Sequence, residues 1–322
     1  MQGNRTVLVT GAAGFIGSAL TKELLAHGKN VVAIDCFLPD LYSAETKKLR
    51  WKTLSEISSD RLVLLNLDLR FDKLDLLREY DIGVVFNQAA MPGLIQDWGK
   101  AKIYYECNLH ALNRLLEHFR YVNEPLESFV QASTSSVYGK LALGDESTPA
   151  APTSPYGVSK LAAENLLLAY QEWFAIPVTI LRYFSVYGPG QRPDMAYATI
   201  IDSILKNEVF TIHGDGEQRR SNTYIKDVID ATILAGSVSA PGAIINICGD
   251  QTYSLNEVIA KLEIISGQIL KLAHIPSRIG DQRQTSGINV LAKRILGWNA
   301  TTNLLDGLTM QFQEAASDFS RS

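Results

Sequence analysis

Cysteine is scarce: Cys36, Cys107 and Cys248 are the only three in 322 residues, they stand far apart, and no Cys-x-x-Cys pair occurs. An odd, scattered count excludes a disulfide framework and a cysteine-based zinc site, and it suits a reducing compartment. Histidine is equally sparse. His27, His110, His118, His213 and His274 share no ligand spacing with Cys or acids, so no metal is expected. No apolar run reaches the ~18 residues of a membrane-spanning helix. The polar opening Met1 to Arg5 passes straight into Thr6-Val7-Leu8-Val9-Thr10, without the basic and apolar regions of a secretion signal. The expected location is the cytoplasm, with no membrane partner. A basic excess is missing too: 30 Lys plus Arg against 34 Asp plus Glu leave a net charge of −4 and a pI near 5.8. That is no footprint for nucleic acid, so any anionic ligand must be held by a few local groups.

What is present is an ordinary globular composition, 46% hydrophobic and 20% charged, with 23 Gly and 11 Pro spread along the chain. Its length suits about two domains, or one large α/β domain with an elaboration. Strands are expected at Thr6 to Thr10, Val31 to Ile34, Leu62 to Leu65, Val84 to Asn87, Ser128 to Ala132 and Val178 to Leu181. Between them Ser18 to His27, Ala101 to Tyr121 and Tyr156 to Phe174 repeat apolar residues at helical spacing. The alternation predicts an α/β fold with a doubly wound parallel (Rossmann) sheet. A smaller mixed C-terminal substrate domain is expected to start where Gly and Pro collect, in Tyr187-Gly188-Pro189-Gly190-Gln191-Arg192-Pro193. Ala243 to Ile247 reads as one more buried strand of the first domain. The expected division is thus 1–184 with about 222–248 for the cofactor, and about 185–221 with 249–322 for the substrate.

Gly11-Ala12-Ala13-Gly14-Phe15-Ile16-Gly17 follows the first strand and opens the first helix, the setting a dinucleotide fingerprint requires. Gly11 allows the tight turn, Gly14 lets the backbone approach a pyrophosphate, and Gly17 allows close helix–strand packing. The helix N-terminus then offers free N–H groups and a positive dipole end to the phosphates. A glycine turn that merely packs is the plainer alternative; the strand context and an acid downstream argue against it. That acid is Asp35, which ends the second strand 21 residues beyond Gly14 with no basic residue directly after it. A carboxylate there accepts the ribose hydroxyls of NAD and repels the 2′-phosphate of NADP, so NAD is the expected cofactor. Asp68, with Leu69 beside it, ends the Leu62 to Leu67 run and is expected to reach the adenine amino group.

Tyr156-Gly157-Val158-Ser159-Lys160 sets a phenol and an ammonium one helical turn apart, after the hydroxyl cluster Ser133-Thr134-Ser135-Ser136 at a strand end. A phenol near pKa 10 becomes a usable base when a neighbouring ammonium and an oxidised nicotinamide stabilise its phenolate. Taken with Asn87-Gln88-Ala89-Ala90 and Arg182 to Gly190, these motifs resemble the extended short-chain dehydrogenase/reductase superfamily. Within it the chain is similar to the nucleotide-sugar epimerases and dehydratases over essentially its whole length.

The resemblance implies that NAD takes hydride from the sugar C4 while Tyr156 removes the 4-hydroxyl proton. It further implies Thr134 as the bridging hydroxyl, Lys160 on the nicotinamide ribose lowering the Tyr156 pKa, and cofactor contacts from Phe15, Ile16, Ala89 and Ala90. In the 4,6-dehydratases the positions that align with Ser135 and Ser136 are acidic, and uronate decarboxylases usually carry Glu at the second. Here both are serines, expected to touch the sugar or simply to cap backbone. With no acid for elimination, the expected reaction is 4-epimerisation of a UDP-sugar.

On the substrate side, Arg220 in Gly214-Asp215-Gly216-Glu217-Gln218-Arg219-Arg220 resembles the residue that grips the diphosphate, with Arg278 as a second clamp, Asp281 near the ribose and Arg219 solvated. The family commonly reads Asp-Phe-Thr-Tyr after that arginine, whereas Ser221-Asn222-Thr223-Tyr224 stands here. The stretch Ser185 to Ala196 is similar to UDP-glucuronate 4-epimerases: a small hydroxyl at Ser185, with Arg192 nearby, suits a C6 carboxylate, although Arg192 equally suits the nucleotide. UDP-glucuronate is therefore the expected substrate. The alternatives are UDP-glucose or UDP-galactose, a UDP-sugar dehydratase or decarboxylase, and, from another class, an NAD-sensing binding protein. Trp51, Trp98, Trp173 and Trp298 are expected to pack. Family members pair the helices at about 101–121 and 156–174, so a homodimer through them is expected.

Overall fold

The fold is seen in a computed structural model that describes residues 5–39, 42–57, 59–93, 98–121, 125–277 and 283–321. Strands β1 (Thr6–Thr10), β2 (Val31–Asp35), β3 (Leu62–Asn66), β4 (Ile82–Asn87) and β5 (Ser128–Thr134) alternate with helices α1 (Phe15–Ala26), α2 (Ala44–Ser55), α3 (Ala101–Tyr105) and α4 (Ala111–Arg120). Short strand β6 (Leu143–Gly144), helix α5 (Pro155–Phe174) and strand β7 (Val178–Tyr183) follow. Then come β8 (Ser185–Tyr187), α6 (Ala196–Lys206), β9 (Val209–His213), β10 (Arg219–Tyr224), α7 (Ile225–Ser237) and β11 (Ile244–Ile247). The chain ends with β12 (Thr252–Ser254), α8 (Leu255–Ser266), β13 (Lys271–Ile275), β14 (Gln284–Gly287), α9 (Val290–Leu296) and α10 (Leu304–Phe319).

Seven parallel strands form the main sheet in the order β11-β7-β5-β4-β1-β2-β3. Because helices cover both faces, successive residues of the central strands are buried. Val7 and Val9 join one core with α1 and α7, while Leu8 between them joins the other with α4 and α5. This is why the strands read as unbroken apolar runs rather than alternating ones. The chain winds outward from β1 to β3, then resumes at β4 on the other side of β1. That reversal opens a crevice at the carboxyl ends of β1 and β4, where ligands of such sheets bind.

A second sheet runs β12-β10-β14-β6, with β8 beside β10, and β9 pairs with β13 apart from both. The expected return to the first sheet occurs: α7 follows β10 directly and β11 pairs with β7 through Ile244↔Ile180. Leu143–Gly144, inside the stretch assigned to the cofactor half, instead pairs with β14 of the second sheet.

Local chemistry explains the element ends. Helix α1 starts at Phe15 rather than Ser18, because Gly14 already takes the extended N-cap conformation. Pro155 opens α5, and the Ser154 hydroxyl accepts the Gly157 N–H at 3.1 Å. The stretch expected as one helix from 101 to 121 is broken by a π-turn at Glu106–His110. Trp298 is buried and donates to the Asp227 carbonyl at 2.8 Å, and Trp51 is half-buried against the core. Trp98 and Trp173 do not pack as expected: they are 68% and 79% exposed.

Candidate active site

A cavity of about 360 Å3 fills the crevice and joins both expected half-sites. At its floor Gly11 has φ +66°, and a Cβ there would stand 2.8 Å from the Ala89 nitrogen. A Cβ on Gly17 would meet the Gly11 carbonyl oxygen at 2.1 Å, so this turn closes only on hydrogen. The first turn of α1 carries no acid and no side-chain cap, leaving its N–H groups to an anion. Gly14, Phe15, Ile16, Asp35, Asp68, Leu69, Ala89 and Ala90 all line the cavity. The Asp35 carboxylate is held rigidly by N–H groups of Ala13 at 2.9 Å and Phe37 at 2.8 Å. Asp68 differs from expectation in its company: Arg70 grips it through Nη2 at 2.7 Å and Nε at 3.0 Å. Burial pushes its carboxyl up, but these bonds prevail and hold it below the usual carboxylate range. Arg70 escaped the sequence reading because nothing in its spacing marks it.

The expected reaction centre lies at the far end. Thr134, Tyr156 and Lys160 line the same cavity, Thr134 ending β5 and the other two standing on the first turns of α5. Burial raises the Tyr156 phenol above its ordinary pKa, while a hydrogen bond with Thr134 and the positive charge of Arg192 draw it back. Lys160, 3% exposed, donates to the Ala132 carbonyl at 2.6 Å, and burial pulls its pKa down to about 8 against an upward pull from Glu164. Arg192, which the sequence placed with the substrate, is thus a cation that bears on the phenol.

A chain of buried hydrogen bonds connects the two ends. Ala89 N–H donates to the Thr10 hydroxyl at 3.1 Å, Thr10 to Asn87 at 2.5 Å, and Asn87 to Gln131 at 2.7 Å. Gln131 donates to the Ala132 carbonyl at 2.7 Å, the same oxygen that holds Lys160. Fully satisfied networks of this kind fix their members in one arrangement. Asn108 adds a second tie. The π-turn aims it into the fold, where it accepts the Met91 N–H at 2.7 Å and donates to the Met91 carbonyl at 3.1 Å and to Ser159 at 2.9 Å. Its only sequence signal is a polar side chain on an otherwise apolar helix face.

The expected substrate residues divide. Ser185, which starts β8, and Arg192 line the cavity, and Arg192 pairs with Asp194 at 2.6 and 3.0 Å. Ser135 and Ser136 are not among its walls. They open a 3₁₀ turn that Thr134 caps, its hydroxyl accepting the Ser136 N–H at 3.1 Å, so the capping group is Thr134 and not the hydroxyl of either serine. Arg220 stands on β10 away from the walls, with Nη1 donating to the Arg219 carbonyl at 2.9 Å. Arg219 is not merely solvated, since it pairs with Glu257 at 2.9 Å and donates to the Thr252 carbonyl at 2.9 Å. Arg278 and Asp281 lie outside the described residues. Among the described residues no group of His, Cys, Asp or Glu could hold a metal, and no helix is long and apolar enough to cross a membrane.

Comparison with known proteins agrees with this geometry. The model of the NAD dependent epimerase/dehydratase family matches residues 7–248. The uncharacterized UDP-glucose epimerase YtcB of Bacillus subtilis is 41% identical over 97% of this chain and 98% of the relative. A UDP-glucuronate 4-epimerase of Thermodesulfobacterium geofontis is 32% identical over 94% of this chain and 93% of its own. Among solved structures, UDP-glucuronic acid 4-epimerase from Bacillus cereus in complex with UDP-glucuronic acid and NAD superposes with a TM-score of 0.91. It has 38% identity and covers 97% of this chain and 99% of that one.

Proposed function

The chain belongs to the NAD dependent epimerase/dehydratase family, and on that premise we propose that it interconverts UDP-glucuronate and UDP-galacturonate with NAD as cofactor. The residues present fit NAD: a glycine turn with no room for a Cβ, an uncapped helix start above it, and a fixed carboxylate at the end of β2. Gly11, Gly14 and Gly17 with the α1 N-terminus hold the pyrophosphate, Asp35 the adenosine ribose, Asp68, Leu69, Ala89 and Ala90 the flanking walls, and Lys160 the nicotinamide ribose. When bound, NAD supplies hydride acceptance and return at the sugar C4.

The chain's own part is to move one proton and to orient the sugar. Tyr156 takes the proton from the 4-hydroxyl oxygen and returns it to the 4-oxygen of the inverted sugar, with Thr134 bonded to the phenol throughout. No carboxylate stands at 135 or 136 to remove a C5 proton, so the 4-keto sugar has no elimination route and is reduced. Arg220, with Arg278 and Asp281, serves the nucleoside diphosphate, and Ser135 and Ser136 support the sugar end. The observation that carries the glucuronate reading is Arg192, a guanidinium lining the cavity beside Tyr156 with the Ser185 hydroxyl. Its existing pair with Asp194 favours the second reading, a neutral UDP-hexose.

Purified protein without added cofactor, given UDP-glucuronate or UDP-glucose and followed by NMR of the sugar protons, should form the galacto isomer from UDP-glucuronate. Reaction of UDP-glucose alone would replace the glucuronate reading with the neutral one. Cys36, Cys107 and Cys248 stand as thiols rather than disulfides, which suits the cytoplasm.

We also infer a homodimer through α3, α4 and α5. Tyr105, Tyr121, Val158, Trp173 and Phe174 are exposed along these elements, a row of apolar side chains that a second copy would cover. Sedimentation at micromolar concentration should give twice the chain mass; the mass of a single chain would reject the pairing.

A further inference from the structure

Tyr42, just before α2, stands opposite the loop that carries Arg192. It lines the cavity, and three cations gather about its ring: Lys47 at 5.2 Å from the centroid, Arg50 at 5.8 Å and Arg192 at 5.9 Å. Like charges crowded on one half-buried ring repel, so each is anchored elsewhere. Lys47 donates to the Leu38 carbonyl at 2.7 Å, Arg50 to the Gly190 carbonyl at 2.7 Å, and Arg192 pairs with Asp194. The Arg50 bond joins residues 140 apart and ties α2, on the cofactor side, to the loop on the sugar side. Helix α10 holds the same loop from behind: Gly188 N–H donates to Gln311 at 3.0 Å, Gly190 N–H donates to Glu314, and Gln311 donates to Gln191 at 2.9 Å. Gly188 at φ +133° and Gly190 at φ +75° let the loop take the turn that brings its N–H groups to these anchors.

We propose that Tyr42 and Arg50 are positioning residues that set the Arg192 guanidinium in the cavity and thereby the preference for a sugar with a C6 carboxylate. The proposal rests on the reading that Arg192 receives that carboxylate. Asp194 occupies the Nε and Nη2 edge of Arg192, the Tyr42 ring offers a negative face to the same group, and among the described residues Nη1 is left for a ligand. Arg50 fixes the backbone two residues before Arg192, so the side chain starts from a defined point. Neither Tyr42 nor Arg50 is asked to touch the reacting atoms.

The test compares the NAD-loaded protein with Tyr42→Leu, Tyr42→Phe, Arg50→Met, Arg50→Lys and Arg192→Met, reading kcat and KM on UDP-glucuronate and on UDP-glucose. Tyr42→Leu and Arg50→Met should raise KM for UDP-glucuronate about 3- to 30-fold, with kcat and the UDP-glucose KM within about twofold. Tyr42→Phe keeps the ring face but loses the hydroxyl that accepts from Arg50 Nη1 at 3.4 Å, so it should keep most of the parent's substrate preference, and Arg50→Lys should recover part of it. NAD content and melting temperature should match the parent. Equal losses on both substrates, a fall in kcat alone, or loss of bound NAD in Tyr42→Leu and Arg50→Met would overturn the proposal. Arg192→Met separates the two levels. If it keeps the preference for UDP-glucuronate, the carboxylate reading itself falls. If it loses the preference while Tyr42→Leu and Arg50→Met retain it, only the positioning role falls.

Discussion

Replacing Tyr156 with phenylalanine should lower turnover by about 10²- to 10⁴-fold while leaving UDP-sugar affinity within about threefold, as measured by single-turnover NMR and by isothermal titration. The change deletes one oxygen and keeps the ring that packs against Tyr104 at a centroid distance of 5.8 Å, so the cavity walls stay in place. What disappears is the only group in this part of the cavity whose proton moves to and from the sugar oxygen in the proposed reaction. The pH profile gives an independent readout. Burial raises the Tyr156 phenol, and a base with a raised pKa is mostly protonated at neutral pH. Activity should therefore climb with pH, by up to about tenfold per unit on the acid side of that pKa, and the slope should vanish in Tyr156→Phe. Arg192 opposes the burial effect, so Arg192→Met should move the limb to higher pH. A Tyr156→Phe protein with more than about a tenth of the parent rate would assign the proton to another group.

The parts of this site that were legible in the sequence are those whose geometry is local. Gly11, Gly14 and Gly17 mark a turn because backbone closeness needs hydrogen at those positions, and Asp35 follows from the length of one βαβ step. Tyr156 and Lys160 were marked by one-turn spacing only together with the hydroxyl cluster that ends the strand before them and with the family resemblance. The buried central strands and the return of residues 244–247 to the first sheet were readable for the same reason, since apolar runs and their spacing are short-range signals. What stayed hidden are partners from distant stretches. Asn108 meets Ser159 only because a π-turn rotates it inward, and Arg50 meets Gly190 only through the closed fold. Trp173 shows the opposite error: a large apolar residue reads as core, yet its place on the outer face of α5 leaves it uncovered within one chain.

The same limit concealed the pair beneath the proposed reaction centre, where Arg182→Met should cost about 3–5 kcal/mol in equilibrium urea unfolding. Arg182 on β7 and Glu164 on α5 are 5% and 1% exposed. They meet edge to edge, Nη2 to Oε2 at 2.7 Å and Nε to Oε1 at 3.0 Å, and the Ser133 hydroxyl adds a bond to Glu164. The guanidinium also stacks on Tyr138, 4.7 Å from the ring centroid. Removing it strips the buried Glu164 carboxyl of both its guanidinium bonds and leaves it the Ser133 hydroxyl and the charge of nearby Lys160, which is far costlier than losing the pair as a whole. The double replacement Glu164→Leu with Arg182→Met should accordingly be more stable than Arg182→Met alone, by more than about 1 kcal/mol. Function should follow in a different way. Glu164 holds up the Lys160 pKa, which burial has already drawn down to about 8. Without that carboxylate the ammonium should lose its proton at lower pH, so the double variant should weaken its grip on NAD progressively from neutral pH upward, where the parent still holds it. A cost below about 1 kcal/mol for Arg182→Met, or the same pH dependence of NAD binding in the double variant as in the parent, would show that the pair acts only as packing.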